Sequence, residues 1–157
     1  MGTVQVLLSC MYQKDMSIIK KSNLLDIPTV VINQCEVKQD NWQQDAPSLK
    51  WLNTSSRGLS VSRNLAIKHA TADIGVLADD DEIFEKDLIQ KISAAYEQYS
   101  QADIILFNIK NFPVKFGQHA RLLKKWEILK ANSIRITFRL KKVQGKIAFD
   151  PLLGSGT

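Results

Sequence analysis

The stretch Ile74-Gly75-Val76-Leu77-Ala78-Asp79-Asp80-Asp81-Glu82 decides how this chain is read. A short apolar run ending abruptly in acids fits a strand buried on both faces whose carboxyl end opens to solvent. Such a strand needs cover above and below, and its neighbours offer it. Upstream, Ser60 to about Ala70 reads as a helix capped by Ser60, with Leu65, Ala66 and Ala70 on its buried stripe. Downstream, Leu88, Ile89, Ile92, Tyr96 and Tyr99 recur at i, i+4 and i+7 and predict an amphipathic helix over 85–99.

The same alternation extends outward. Val4 to Leu8 and Thr29 to Ile32 are β-rich apolar runs, and Asp103 to Phe107 is another. Between the first two, Lys14 to Leu25 carries Met16, Ile19, Leu24 and Leu25 at roughly helical spacing, closed by Pro28. Residues 36–50 are polar and amide-rich, with Asp45-Ala46-Pro47-Ser48 as turn chemistry, and read as a loop. Trp51-Leu52-Asn53 reads as a brief strand. The order is βαβ, loop, αβαβ. It predicts an α/β fold with a mostly parallel central sheet and helices on both faces. Beyond Asn111 the pattern changes. Leu122, Leu123, Trp126 and Leu129 suggest a short helix, and Ile134 to Lys141 alternates strictly. That alternation predicts a half-exposed strand whose outer face carries Arg135, Arg139 and Lys141.

Composition narrows the classes. The 157 residues are 45% apolar and 24% charged, which excludes a collagen, a disordered tail and a disulfide scaffold. No run approaches the ~18 apolar residues of a membrane span. The two cysteines, Cys10 and Cys35, suit a reduced compartment, and the N-terminus does not resemble a signal peptide, so a cytoplasmic protein is expected. The net charge of +5 conceals an asymmetry: residues 1–104 sum to −4 and residues 105–157 to +9. A basic third of this kind points to an anionic partner, or to an acidic part of the protein lying elsewhere.

In a parallel α/β sheet, ligands bind at the carboxyl ends of the strands. There is no GxGxxG and no GxxxxGK[ST] after the first strand, so neither a dinucleotide site nor a P-loop is expected. The acids at 79–82 are the sharpest feature. Adjacent carboxylates repel one another, and a hard Mg²⁺ or Mn²⁺ relieves that while binding phosphate. In an extended segment Asp79 and Asp81 share a side. The plainer reading is a solvated acidic turn before a helix. Arg63 and Asn64 lie early in a helix, where an arginine can meet a diphosphate; a merely exposed arginine is the plainer reading. His69 and His119 have no zinc-ligand spacing around them, and no GxSxG supports a serine hydrolase.

Taken together, Gly58-Leu59-Ser60-x-x-Arg63-Asn64-x-Ala66, then a strand, then Ala78-Asp79-Asp80-Asp81-Glu82-Ile83-Phe84 resembles the core of family 2 glycosyltransferases. Val6-Leu7-Leu8-Ser9 resembles that family's first strand, and the likeness covers about residues 4–110. It implies a GT-A fold with a Rossmann-like nucleotide-binding half, a nucleotide-sugar donor (a UDP-sugar favoured), a divalent metal and inversion at the anomeric carbon. By position, Asp79-x-Asp81 resembles the DxD motif. Asp81 would then bind metal and diphosphate, with Asp79 as a further metal ligand, and Asp79 or Asp80 would face ribose and sugar. Ser9, Met11 and Asn33 fall where the family lines its nucleobase pocket, and Arg63 where a basic residue approaches the donor. Met11-Tyr12 and Asn33-Gln34-Cys35-Glu36 depart from the family's usual residues after the first and second strands.

The resemblance further implies a donor-binding core at 1–110 and the start of an acceptor-side region at 111–157. Ile147 to Thr157 looks like the stretch before the family's Glu-Asp motif, which supplies the general base. The expectation is a chain truncated before that base, acting on a glycan or lipid-linked acceptor, in the cytoplasm or at the inner face of the membrane. Asp150 is a weaker stand-in for the base. The competing expectation is a non-catalytic module of the same fold whose basic third docks an anionic polymer or membrane surface. A Mg²⁺-dependent phosphotransferase lacks its nucleophilic Asp after the first strand, where Ser9-Cys10 stands. Nucleic acid is not an expected partner, since the basic segment lacks interleaved aromatics.

Overall fold

The computed structural model describes residues 2–110, 113, 116–117 and 119–153, with the backbone alone at 45–46 and 128–130. Among these residues, one sheet contains β1 (Val4–Met11), β2 (Thr29–Gln34), β3 (Asn41–Ala46), β4 (Leu49–Thr54), β5 (Ile74–Asp79), β6 (Ile104–Leu106) and β7 (Ile136–Arg139). Their order across it is β3-β4-β2-β1-β5-β7-β6. The four strands β4, β2, β1 and β5 run parallel, while β3 and β7 run against their neighbours. The helices are α1 (Ser17–Lys21), α2 (Leu59–His69), α3 (Leu88–Gln98) and α4 (Leu140–Val143).

The apolar runs are continuous because both faces of the sheet are covered. On one face Val4, Val6, Leu8 and Cys10 of β1 pack with Val31, Val76, Ile18, Ile19, Ile92 and Tyr96, under α1 and α3. On the other, Leu7, Val30, Ile32, Leu52 and Leu77 pack with Ala66 and Ile67 of α2 and with Phe138 and Leu140. Gly75 lies opposite Phe138 in the β5–β7 register. A Cβ on Gly75 would stand 2.9 Å from the Phe138 ring, so this glycine makes room for the ring to lie against the strand.

Several expectations are corrected. Residues 36–50 are not a plain loop: Asn41–Ala46 forms the edge strand β3, paired with β4 across the turn at Pro47 and Ser48. Asn41, Trp42, Gln43 and Gln44 are exposed, which is why no buried stripe marks it. Strand β7 is not a half-exposed strand with a basic outer face. It lies between β5 and β6, so both its backbone edges are paired. Arg135, just before it, is 1% exposed. Its guanidinium donates to the Pro113 carbonyl at 3.0 Å and to Asn108 Oδ1 at 3.2 Å. Arg139 donates to the carbonyls of Ala102 and Ser100, and Lys141 belongs to α4. Carbonyl oxygens distant in sequence solvate the two arginines.

The helices differ too. The helix expected over Lys14 to Leu25 shortens to α1, and Asn23 has a left-handed φ of 59° just beyond it. Helix α2 starts after Gly58, whose φ is 97°, and Ser60 is buried in its first turn rather than capping it. Leu122 and Trp126 lie exposed beside and within a 3-10 helix, Lys125–Lys130, instead of forming a buried stripe; the Leu129 side chain lies outside the described residues. Tyr96 is in the core, whereas Tyr99 is 40% exposed.

Candidate functional site

The parallel register brings the candidate residues to one edge. Ser9 of β1 stands opposite Asp79 of β5 and Ile32 of β2, and Asn33 stands between Cys10 and Asn53. The carboxyl ends of β1, β2, β4 and β5 therefore form a common rim. Helix α2 begins beside that rim because Gln34 Nε2 donates to the carbonyls of Ser56 and Gly58 at 3.0 and 3.2 Å. Ser62 Oγ then donates to Ser9 Oγ at 2.8 Å in a buried contact, fixing the helix against β1.

One residue farther along, Arg63 reaches Asp79. Its Nη2 donates to both carboxylate oxygens, at 3.0 and 3.1 Å, and to Ser133 Oγ at 2.7 Å. The Arg63 side chain is only 9% exposed, and the Phe149 ring lies 5.7 Å from its guanidinium carbon. This ion pair is partly desolvated, which strengthens it relative to a surface pair. Beyond Asp79 the chain turns through Asp80 and Asp81, so Asp81 is not in the extended segment that would set it alongside Asp79. Asp81 is exposed, and Asp80 is half-buried.

Glu82 completes the acidic run. Burial, and then the neighbouring Asp79 charge, pushes its carboxyl up to about 8. Its Oε1 is buried without a hydrogen-bond partner among the described residues. A crowded carboxylate of this kind, next to an exposed one, suits a hard divalent cation. Among the described residues, no three or more His, Cys, Asp or Glu form a metal-binding group. A cation here would take one or two carboxylates and complete its shell with phosphate and water, as Mg²⁺ commonly does. Cys10 lies beneath the rim, and burial, with the Asp80 charge as a smaller cause, pushes its thiol up to about 12. That leaves it a neutral packing group.

The remaining candidates divide by exposure. Met11 is 40% exposed at the rim. Asn33 is buried, and its amide is fully engaged: Oδ1 accepts from the Gln13 N–H, and Nδ2 donates to Gln13 O and Asn53 Oδ1. Asn33 thus shapes the turn carrying Tyr12, which has a φ of 52°. Tyr12 is exposed, and the Arg57 guanidinium lies 5.6 Å from its ring centre. The sequence marks Tyr12 only as a departure from the family and gives no role to Ser62, Ser133 or Phe149. Asp150 is exposed and accepts from the Leu152 N–H at 2.9 Å, holding the local turn. Gly154 to Thr157, the end of the stretch expected to precede a general base, lie outside the described residues.

A model of glycosyl transferase family 2 matches residues 34–151. No curated protein matches the chain. Among solved structures, residues 1–349 of S. aureus TarS superpose with a TM-score of 0.70 at 20% identity, covering 98% of this chain and 52% of that one. The same protein in complex with UDP-GlcNAc gives 0.61 at 20% identity, covering 88% and 45%. Its complex with UDP gives 0.66 at 19% identity, covering 98% and 52%. The chain spans about half the length of these structures. At this identity the likeness establishes the fold, and the family match establishes the relationship. The chain has the GT-A fold and belongs to glycosyl transferase family 2.

Proposed function

We propose that this chain is the donor-binding part of an inverting glycosyltransferase that takes a nucleotide-sugar, with a UDP-sugar favoured. The observation that carries this reading is the Arg63–Asp79 pair at the carboxyl end of β5, one turn from the exposed Asp81. The UDP and UDP-GlcNAc complexes of the similarly folded TarS support the choice of donor class. Asp81 would hold Mg²⁺ or Mn²⁺ together with the donor diphosphate, and Glu82 stands behind it. The cation, when bound, neutralises charge on the departing diphosphate. Asp79, already paired with Arg63, is better suited to the ribose and sugar side than to the metal, and Asp80 shares that side.

Around the nucleobase, Met11 and Tyr12 offer the open surface, while Ser9 and Asn33 hold the rim in shape from below. We place the donor core at 1–110 and the start of the acceptor side at 111–157. The acceptor in this reading is a glycan or lipid-linked molecule, whose hydroxyl a general base would deprotonate as it attacks the donor. The test is thermal melting against a panel of nucleoside diphosphates with and without Mn²⁺. A rise in melting temperature with at least one nucleotide, larger with metal, is expected. No rise with any of them would reject the reading.

A second reading has its own observation. Leu122 is 95% and Trp126 78% exposed, amid Arg121, Lys124 and Lys125. Bare apolar side chains among cations suit the surface of an anionic bilayer at the inner face of the membrane. None of the described helices is long and apolar enough to cross a membrane. Sedimentation with phosphatidylglycerol vesicles, and not with phosphatidylcholine vesicles, is expected if this surface docks; equal sedimentation with both, or none with either, would reject it.

A further inference from the structure

Arg63 makes an unusual pair with Asp79. An arginine and a carboxylate prefer a fork in which two nitrogens face two oxygens. Here a single nitrogen, Nη2, serves both Asp79 oxygens and Ser133 Oγ as well. Nη1 makes no hydrogen bond among the described residues, and Nε is buried without a partner among them. Three acceptors on one nitrogen hold the guanidinium turned away from the fork. The Ser133 bond is the shortest of the three, at 2.7 Å, and it comes from a segment 70 residues distant in sequence. The Phe149 ring flanks the same guanidinium.

We propose that Ser133 is a positioning residue of the donor site: by bonding Arg63 Nη2, it keeps Arg63 from closing into a two-nitrogen fork on Asp79 and leaves Nη1 for the nucleotide. This rests on the nucleotide-binding reading above and adds a residue to it. Without the hydroxyl, Nη2 loses one of its acceptors, and the guanidinium gains by rotating so that Nη1 and Nη2 each take one Asp79 oxygen. Both groups are then satisfied by each other and less available to a ligand. Ser133 starts a 3-10 turn, Ser133–Arg135, that leads directly into β7. The same contact therefore ties the donor rim to the chain that follows it.

The experiment is calorimetric titration of UDP in the presence of Mn²⁺ into the whole chain, its Ser133→Ala variant and its Ser133→Thr variant, with melting temperatures for all three. The expected result is a Kd raised roughly five- to tenfold in Ser133→Ala, in line with the net loss of one ordinary hydrogen bond. Ser133→Thr, which keeps the hydroxyl, should bind within about twofold of the parent, and the melting temperature of Ser133→Ala should stay within about 2 °C. Unchanged binding by Ser133→Ala would overturn this inference alone. Equal weakening by both variants, with a falling melting temperature, would also overturn it, because the role would then be one of folding. If the parent chain binds no UDP while another nucleoside diphosphate binds, the same comparison is read with that nucleotide. If it binds none, the nucleotide-binding reading fails and this inference with it.

Discussion

Asn64 and Phe149 bond to each other twice. Asn64 Nδ2 donates to the Phe149 carbonyl, and the Phe149 N–H donates to Asn64 Oδ1, each at 2.8 Å. The two residues are 85 apart in sequence. Asn64 is adjacent to Arg63, whose guanidinium the Phe149 ring flanks. One turn of α2 thus holds both the acidic end of β5 and the segment after α4.

Asn64→Ala removes both bonds. Each is worth ~0.5–1.5 kcal/mol net, so the local segment should open more readily by a factor of ten or so. Hydrogen exchange at the Phe149 N–H should speed up accordingly, while the buried amides of β1 keep their protection. Unchanged exchange at Phe149 would show that these bonds do not hold the segment.

Gly75→Ala should destabilise the sheet. The new methyl would stand 2.9 Å from the Phe138 ring and 3.1 Å from Leu7, both buried. Overpacking of this kind costs about 1–3 kcal/mol. Denaturant unfolding should show a lower midpoint. Replacing Phe138 by Leu in the same chain should recover part of the loss, and no loss in Gly75→Ala would mean that the β5–β7 contact is looser than described.

At the opposite end of β5, Asp73 ties down the N-terminal segment. Its carboxylate accepts from the Thr3 N–H at 2.8 Å and from the Thr3 hydroxyl at 3.0 Å. The Thr3 N–H first, and then the hydroxyl, hold the Asp73 carboxyl below the usual carboxylate range. A folded-state value below the unfolded one contributes stability above the ordinary carboxylate value, and that contribution fades as pH falls through the lowered one. Asp73→Asn should therefore unfold more easily at pH 7, by no more than about 1 kcal/mol for so exposed a group. The gap from the parent should shrink toward pH 3. A gap that is constant with pH would exclude this carboxylate as the cause.

Much of the fold was legible because β1, β2 and β5 are apolar runs covered on both faces, and the acids at the end of β5 marked the rim. Strand β3 was hidden because an edge strand facing water carries no apolar stripe. Strand β7 misled in the other direction. Strict alternation suggested a wet face, yet Arg135 is buried by acceptors on distant backbone. At the rim, motif spacing singled out Arg63 and Asp79, which the fold brings together as an ion pair. It did not single out Ser62 and Ser133, since their bonds span 53 and 70 residues and no local pattern announces them. Asn33 was placed at the rim correctly by strand order, but its amide is engaged by Gln13 and Asn53, a fact that only the packed structure supplies.

The most direct test of the central claim is the affinity of the chain for UDP, titrated with Mn²⁺ and with a chelator, in the parent and in Asp81→Ala. The account predicts binding that requires the metal and weakens at least about tenfold in Asp81→Ala, the loss of one carboxylate–cation contact. Binding that is equally strong with chelator and in Asp81→Ala would contradict it.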